Sequence, residues 1–186
     1  MKSIYRKFFV FALSVSAVLM MAGCSDDDMP DPGSGHTQSG ITAVVNGADW
    51  ASSRGNFKLG TQTVTNGASA FVGAGDTLTI IGVQVQGTDT TAILLSVKLN
   101  ADKVGSYRLR SGAAGDGKAY FLTDFSEAAL QETKAKYDIG ITNGELRISK
   151  YDAANYSISG NFGFSMAATG ETTYTVIAGE IENVTF

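Results

Sequence analysis

Few side chains in this chain of 186 residues can do nucleophilic or metal chemistry. It has one cysteine, Cys24, and one histidine, His36, and both precede Ile41. The stretch 41–186 therefore lacks Ser-His-Asp and Cys-His catalysis, thiolate and imidazole zinc sites, and haem ligation by those residues. What remains there is 14 carboxylates. Two of them about 5–9 Å apart across a cleft would suit a glycosidase, but spacing along the chain pairs none of them. Asn100-Ala101-Asp102 and Gly115-Asp116-Gly117 are fragments of oxygen-rich loops without the dense ligand string of a calcium site, and they read as solvated turns. Gly73-Ala74-Gly75-Asp76 begins like a dinucleotide fingerprint yet leads into a strand, so it too reads as a turn. No cofactor and no metal site is expected, and a non-enzymatic role is preferred over a carboxylate-dependent glycoside hydrolase or other hydrolase.

Cys24 has a different chemistry open to it. Lys2, Arg6 and Lys7 are followed by an apolar run of 14 residues, Phe8 to Met21, and then by the small pair Ala22-Gly23. These are the parts of a secretory signal peptide, and the run is short of the about 20 residues that a membrane-spanning helix needs. Leu19-Met20-Met21-Ala22-Gly23-Cys24 resembles the lipobox of bacterial lipoproteins, and the resemblance implies that Cys24 is acylated and becomes the mature N-terminus. As the sole cysteine it can form no internal disulfide. The two or three acyl chains of a mature lipoprotein anchor stably, where one would not.

The residues after Cys24 refine this address. Ser25 stands where an aspartate would imply inner-membrane retention, and Asp26-Asp27-Asp28 resembles a short acidic export signal that sends lipoproteins to the cell surface. From Ser25 to Gly40 the chain is rich in Pro, Gly, Ser and Asp with almost no apolar residue, the composition of a disordered tether. Its sixteen residues would have a typical reach of about 20 Å. Beyond residue 23 the chain carries 11 basic and 18 acidic residues, a net charge of −7, of which the stretch 41–186 holds only −3. With no basic block there, nucleic acid and anionic lipid are not expected partners.

The stretch 41–186 reads as a single all-β domain, an antiparallel β-sandwich or flattened β-barrel of about 8–10 strands. Ile41 to Val45, Thr77 to Gln86, Glu145 to Lys150, Tyr156 to Met166 and Tyr174 to Ala178 alternate apolar with polar. In the clearest of these, Tyr156, Ile158, Gly160, Phe162, Phe164 and Met166 share the predicted inner face. Ala92 to Val97 is apolar on both faces and predicts a central strand. Asn46-Gly47, Asn66-Gly67, Gly87-Thr88-Asp89, Asn143-Gly144, Asp152 to Asn155 and Thr169-Gly170 punctuate the chain as turns. Near the C-terminus the inward parity of Val176 and Ala178 passes through Gly179 and resumes at Ile181, then Val184 and Phe186, which predicts a bulge or break. Asp124-Phe125-Ser126-Glu127 has capping-box spacing, so one short helix is expected over 126–133, with Phe125 or Leu130 closing an open end of the β structure.

Aromatic side chains are the positive hint of binding, because an amphipathic ring can stack on a sugar. Trp50 follows the Asn46-Gly47 turn, Tyr120 neighbours Phe121, and Tyr137 and Tyr151 lie close to strand ends, although Trp50, Phe162 and Phe164 fit a core better. Asp76-Thr77-Leu78 and Asp89-Thr90-Thr91 resemble acceptors of periplasmic O-glycosylation. Ile41 to Trp50, Gly105-Ser106-Tyr107-Arg108-Leu109, Ile158 to Phe164 and Ile177 to Val184 together resemble an uncharacterised family of surface-lipoprotein β domains of Gram-negative bacteria. The resemblance implies an outer-membrane, cell-surface location and a β fold, and carries no catalytic residues. The expected role is a monomeric, lipid-anchored binding module for a glycan, a small apolar ligand or a partner protein.

Overall fold

The computed structural model describes residues 39–111 and 115–186, so Cys24, Ser25, Asp26, Asp27, Asp28 and His36 lie outside the described residues. Twelve antiparallel strands, rather than the about 8–10 expected, one α-helix and one 3-10 turn (Ala74–Asp76) make up the described fold, the excess being short strands such as Phe57–Leu59 and Gln62–Val64. β1 (Gly40–Val45) and β2 (Ala48–Ala51) join β8 (Gly105–Arg110), β10 (Ile141–Asp152), β11 (Ser157–Ala167) and β12 (Tyr174–Thr185) in a six-stranded sheet ordered β2-β1-β12-β11-β10-β8. β5 (Ala68–Gly73), β6 (Thr77–Gln86), β7 (Asp89–Lys98) and β9 (Lys118–Leu122) form a second sheet, and β3 (Phe57–Leu59) and β4 (Gln62–Val64) a separate hairpin.

The sheets face each other over one apolar layer that includes Ile41, Trp50, Ile80, Ile93, Leu109, Leu146, Phe162, Phe164, Met166 and Ile181. This is the expected sandwich. Backbone bonds lace its two margins: Ser53 N–H donates to the Val83 carbonyl (2.8 Å) at one, and Arg110 N–H to the Gly117 carbonyl (2.9 Å) at the other. Gly82 on β6 leaves room for Ile41 and Trp50, whose side chains would lie 3.0 Å from a Cβ placed there.

β7 pairs on both sides, with β6 and β9, as its two-faced apolar run predicts. Its second face meets a third layer. Ile81, Val83, Ala92, Leu94, Tyr120 and Leu122 pack under the β3–β4 hairpin and the helix α1 (Glu127–Tyr137) through Leu59, Val64 and Leu130. Leu130 thus covers a sheet face, not the open end expected from the sequence, because β6, β7 and β9 are apolar on both sides and cannot leave one to water. The helix runs four residues beyond 133. Burial of Tyr137 rewards the extra turn, and Lys134 and Lys136 suit the negative end of the helix dipole. Its N-cap is Ser126, whose Oγ accepts Ala129 N–H at 3.2 Å, while Asp124 accepts the Ser126 hydroxyl proton at 2.7 Å instead of capping.

β12 buries Val176, Gly179, Ile181 and Val184, a spacing of three, two and three. Each step of three holds one extra residue with positive φ, Ala178 (+50°) and Asn183 (+45°), where the register with β11 shifts. The predicted bulge is therefore two bulges. Ala178 faces water, contrary to its expected inward parity, because the extra residue is turned out of the ladder. Ser159 on β11 holds the second bulge by accepting Asn183 N–H at 3.1 Å.

Two further readings are corrected. Asn143-Gly144 is no turn but the interior of β10, where a Cβ on Gly144 would strike Phe164 Cβ at 2.5 Å, so the glycine serves close strand packing. Tyr156 belongs to the β10–β11 turn with φ +50° and is 62 % exposed, so the inner face of β11 begins at Ile158.

Candidate functional site

The aromatic residues named from sequence mostly serve the core. Trp50 is buried with its indole N–H donating to Thr91 Oγ1 at 2.9 Å, and Phe162 and Phe164 stack at 6.5 Å between centroids. Tyr120, Phe121 and Tyr137 are buried as well. Tyr151 alone of the group reaches a partly exposed cluster, against Phe186 and under Lys103.

Several of the carboxylates are tied to donors. Lys118 Nζ donates to Asp138 Oδ2 at 2.8 Å and the Tyr120 hydroxyl donates to Oδ1 at 2.5 Å, which fastens the C-terminal end of α1 to β9. Burial, then the hydrogen bond to and charge of Asp138, push the Tyr120 phenol far above its ordinary range, so it stays a neutral donor. Burial works to raise the Asp138 pKa, but the hydrogen bonds from Lys118 and Tyr120 and the charges of Lys118 and Lys134 outweigh it and hold the carboxyl low. Asp152 is held at about 2 by the Asn155 side chain and backbone N–H, with Lys150 beside it. Asn100 accepts the Tyr107 hydroxyl at 3.0 Å and Asp116 pairs with Arg110 at 3.8 Å, which makes these loops braced turns. Thr90 donates to Asp124 at 3.3 Å and accepts Phe125 N–H at 3.2 Å, so its hydroxyl is engaged, while Thr77 begins β6. Among the described residues no three His, Cys, Asp or Glu side chains converge as metal ligands.

A depressed carboxyl stabilises the fold fully above its unfolded pKa and ceases to do so as pH falls through its folded pKa. Asp138 and Asp152 both belong to this class, so stability is expected to fall from about pH 4 downward, reaching about 2 for Asp152. Thermal denaturation across that interval should show a smaller loss for the Asp138→Asn, Asp152→Asn double variant than for the parent. Equal losses would contradict the assignment.

A groove of about 730 Å³ lies where α1, the start of β10 and the end of β11 meet. Its walls include Ala135, Ile139, Ile141 and Ala168, with Lys136 and Glu171 at the rim. Ile139 is 88 % exposed and Ile141 72 %, two large apolar side chains held in water two residues apart. The rim is braced: Lys136 Nζ meets Glu132 at 2.9 Å and Glu171 at 3.2 Å, and the Tyr137 hydroxyl donates to the Thr172 carbonyl at 2.6 Å. Ser111 Oγ donates to the Gly140 carbonyl (2.7 Å) and accepts Thr142 N–H (2.9 Å), satisfying the start of β10 where β8 no longer pairs with it.

Ile139 and Ile141 were not among the residues singled out from sequence. The signal was present in part, because Ile141 shares its strand parity with the solvent-facing Asn143, Glu145 and Arg147. Reading Asn143-Gly144 as a turn cut that parity short. No family model, curated protein or solved structure matches the chain, so its functional reading rests on its own residues.

Proposed function

We propose that this chain is a lipid-anchored outer-membrane lipoprotein, exposed at the cell surface and akin to the uncharacterised surface-lipoprotein domains it resembles, whose β sandwich is a non-enzymatic module that binds a partner protein. The observation that carries the binding role is the pair Ile139 and Ile141, exposed at 88 % and 72 % beside a groove of about 730 Å³. Exposed apolar side chains grouped at a concavity mark interaction sites. Position favours the same reading. The chain enters the fold at Gly40, paired with Glu182, whereas Ala167 and Ile141 lie at the other end of the six-stranded sheet. A domain held by its entry end would turn this groove outward.

A hydrolase built on two carboxylates needs one of them kept protonated as the acid. Asp138 and Asp152 are both held toward the charged form, so neither of these two supplies that acid.

A photoreactive residue at position 139 in intact cells is the test. It should give a discrete higher-mass adduct that the same residue at Asn161, on the solvent face of β11, does not. Adding Ile141→Asp should cut the yield about tenfold or more, the effect of losing one apolar contact of about 1.5–3 kcal/mol. Adducts equal at both positions, or indifferent to Ile141→Asp, would refute the groove as the binding site.

A further inference from the structure

The end of the sandwich opposite the groove carries a second set of exposed apolar groups. Phe186 packs against Tyr151 at the end of β10 (5.0 Å between centroids) and edge-on against Tyr156 (6.0 Å), and its N–H donates to the Tyr156 carbonyl at 2.9 Å. Lys103 Nζ sits 5.2 Å above the Tyr151 ring, and the adjacent Val104 is itself exposed. A ring cluster that only sealed the core would be buried, but Tyr156 projects into water from a backbone with φ +50°. For a bulky residue that conformation is strained, and such strain persists only where the surroundings impose it.

The chain joins the fold at this same end. Ser39 Oγ donates to the Asn183 carbonyl, Gly40 pairs with Glu182, and β1 runs from there toward the groove. β11, with 11 residues, spans about 36 Å. The about 20 Å typical reach expected for the sixteen residues after Cys24 is shorter than that. A domain on such a tether is held by its entry end.

We infer that this end is a lipid-contact face: Tyr156, Phe186 and Val104 rest in the headgroup layer of the membrane that holds the acyl anchor. Tyrosine suits that layer because its ring is apolar and its hydroxyl stays wet. At this end Lys103 is paired with Asp76 and Lys150 with Asp152, and cations so neutralised fit a zwitterionic surface rather than a strongly anionic one. The stem of Lys103 can lie along the rings while its ammonium reaches water. The inference rests on the acyl-anchor reading and adds an orientation to it, with the groove facing away from the bilayer.

The test uses the full acylated protein, its lipid confirmed by intact mass, in phosphatidylcholine vesicles with brominated acyl chains. Tyr156→Trp is compared with Thr169→Trp at the groove end, and Val104→Trp is a second probe at the entry end should the first variant not fold. Tryptophan at 156 or 104 should be blue-shifted and quenched several-fold more than at 169. In acylated protein, equal quenching at the two ends, or none at 156 and 104, would overturn the lipid-contact face and leave the anchor intact. A mass without acyl chains would overturn the anchor, and the inference with it.

Discussion

Phe162→Ala and Phe164→Ala are each expected to destabilise the protein by about 3–5 kcal/mol, the cost of truncating a fully packed aromatic ring. Both rings lie between the two sheets, stacked on one another, and are almost completely buried. Gly179 on β12 is pressed against the Phe162 ring, where a Cβ would approach it within 2.6 Å, so removing the ring opens a vacancy directly onto backbone. Asn161 points to water from the same strand, so Asn161→Ala should stay within about 0.5 kcal/mol. Urea unfolding checks this through the midpoint at unchanged slope. The loss is a large part of the about 5–15 kcal/mol that stabilises such a domain. Tolerance of both alanines with sensitivity at Asn161 would mean that the face of β11 is inverted.

Cys24→Ser is expected to abolish acylation and with it detergent partitioning, because no second cysteine can take its place. Losing two or three acyl chains removes about 0.8 kcal/mol per buried methylene, far more than any protein contact with the membrane could restore. Metabolic labelling with a palmitate analogue reads the result. Replacing Asp26, Asp27 and Asp28 by alanine should leave labelling intact but protect the protein from protease added to whole cells. Persistent labelling of Cys24→Ser would refute the anchor, while equal proteolysis of the triple variant would refute only the surface location.

The β architecture was legible because an antiparallel strand with one wet face writes its orientation as a period of two, and β1 and β11 follow that rule closely, while β7 shows the two-faced apolar run of a central strand. The break in the period at Gly179 announced irregularity in β12. It did not announce two bulges, since a spacing of three becomes a bulge only when a neighbouring strand keeps its own step of two. The helix was visible through its first-turn chemistry, but its length was not. Tyr137 is held in the helix by its burial against the core and its hydrogen bond to Thr172, 35 residues away.

The candidate sites divide in the same way. Sequence alone determined what short-range order can carry: a lone cysteine after an apolar run, an acidic segment behind it, and a stretch 41–186 without histidine or cysteine. Tertiary structure decided which apolar residues remain in water. Ile139 and Ile141 have the same side chain as the buried Ile80 and Ile93, and only the packing of α1 beside β10 and β11 leaves the first pair uncovered. Tyr151, Tyr156 and Phe186 likewise come from two strands and a turn that meet at one end of the sheet. Exposure belongs to the assembled surface, because the hydrophobic effect acts on area shared between elements distant in the chain, and no residue carries that area in its own identity.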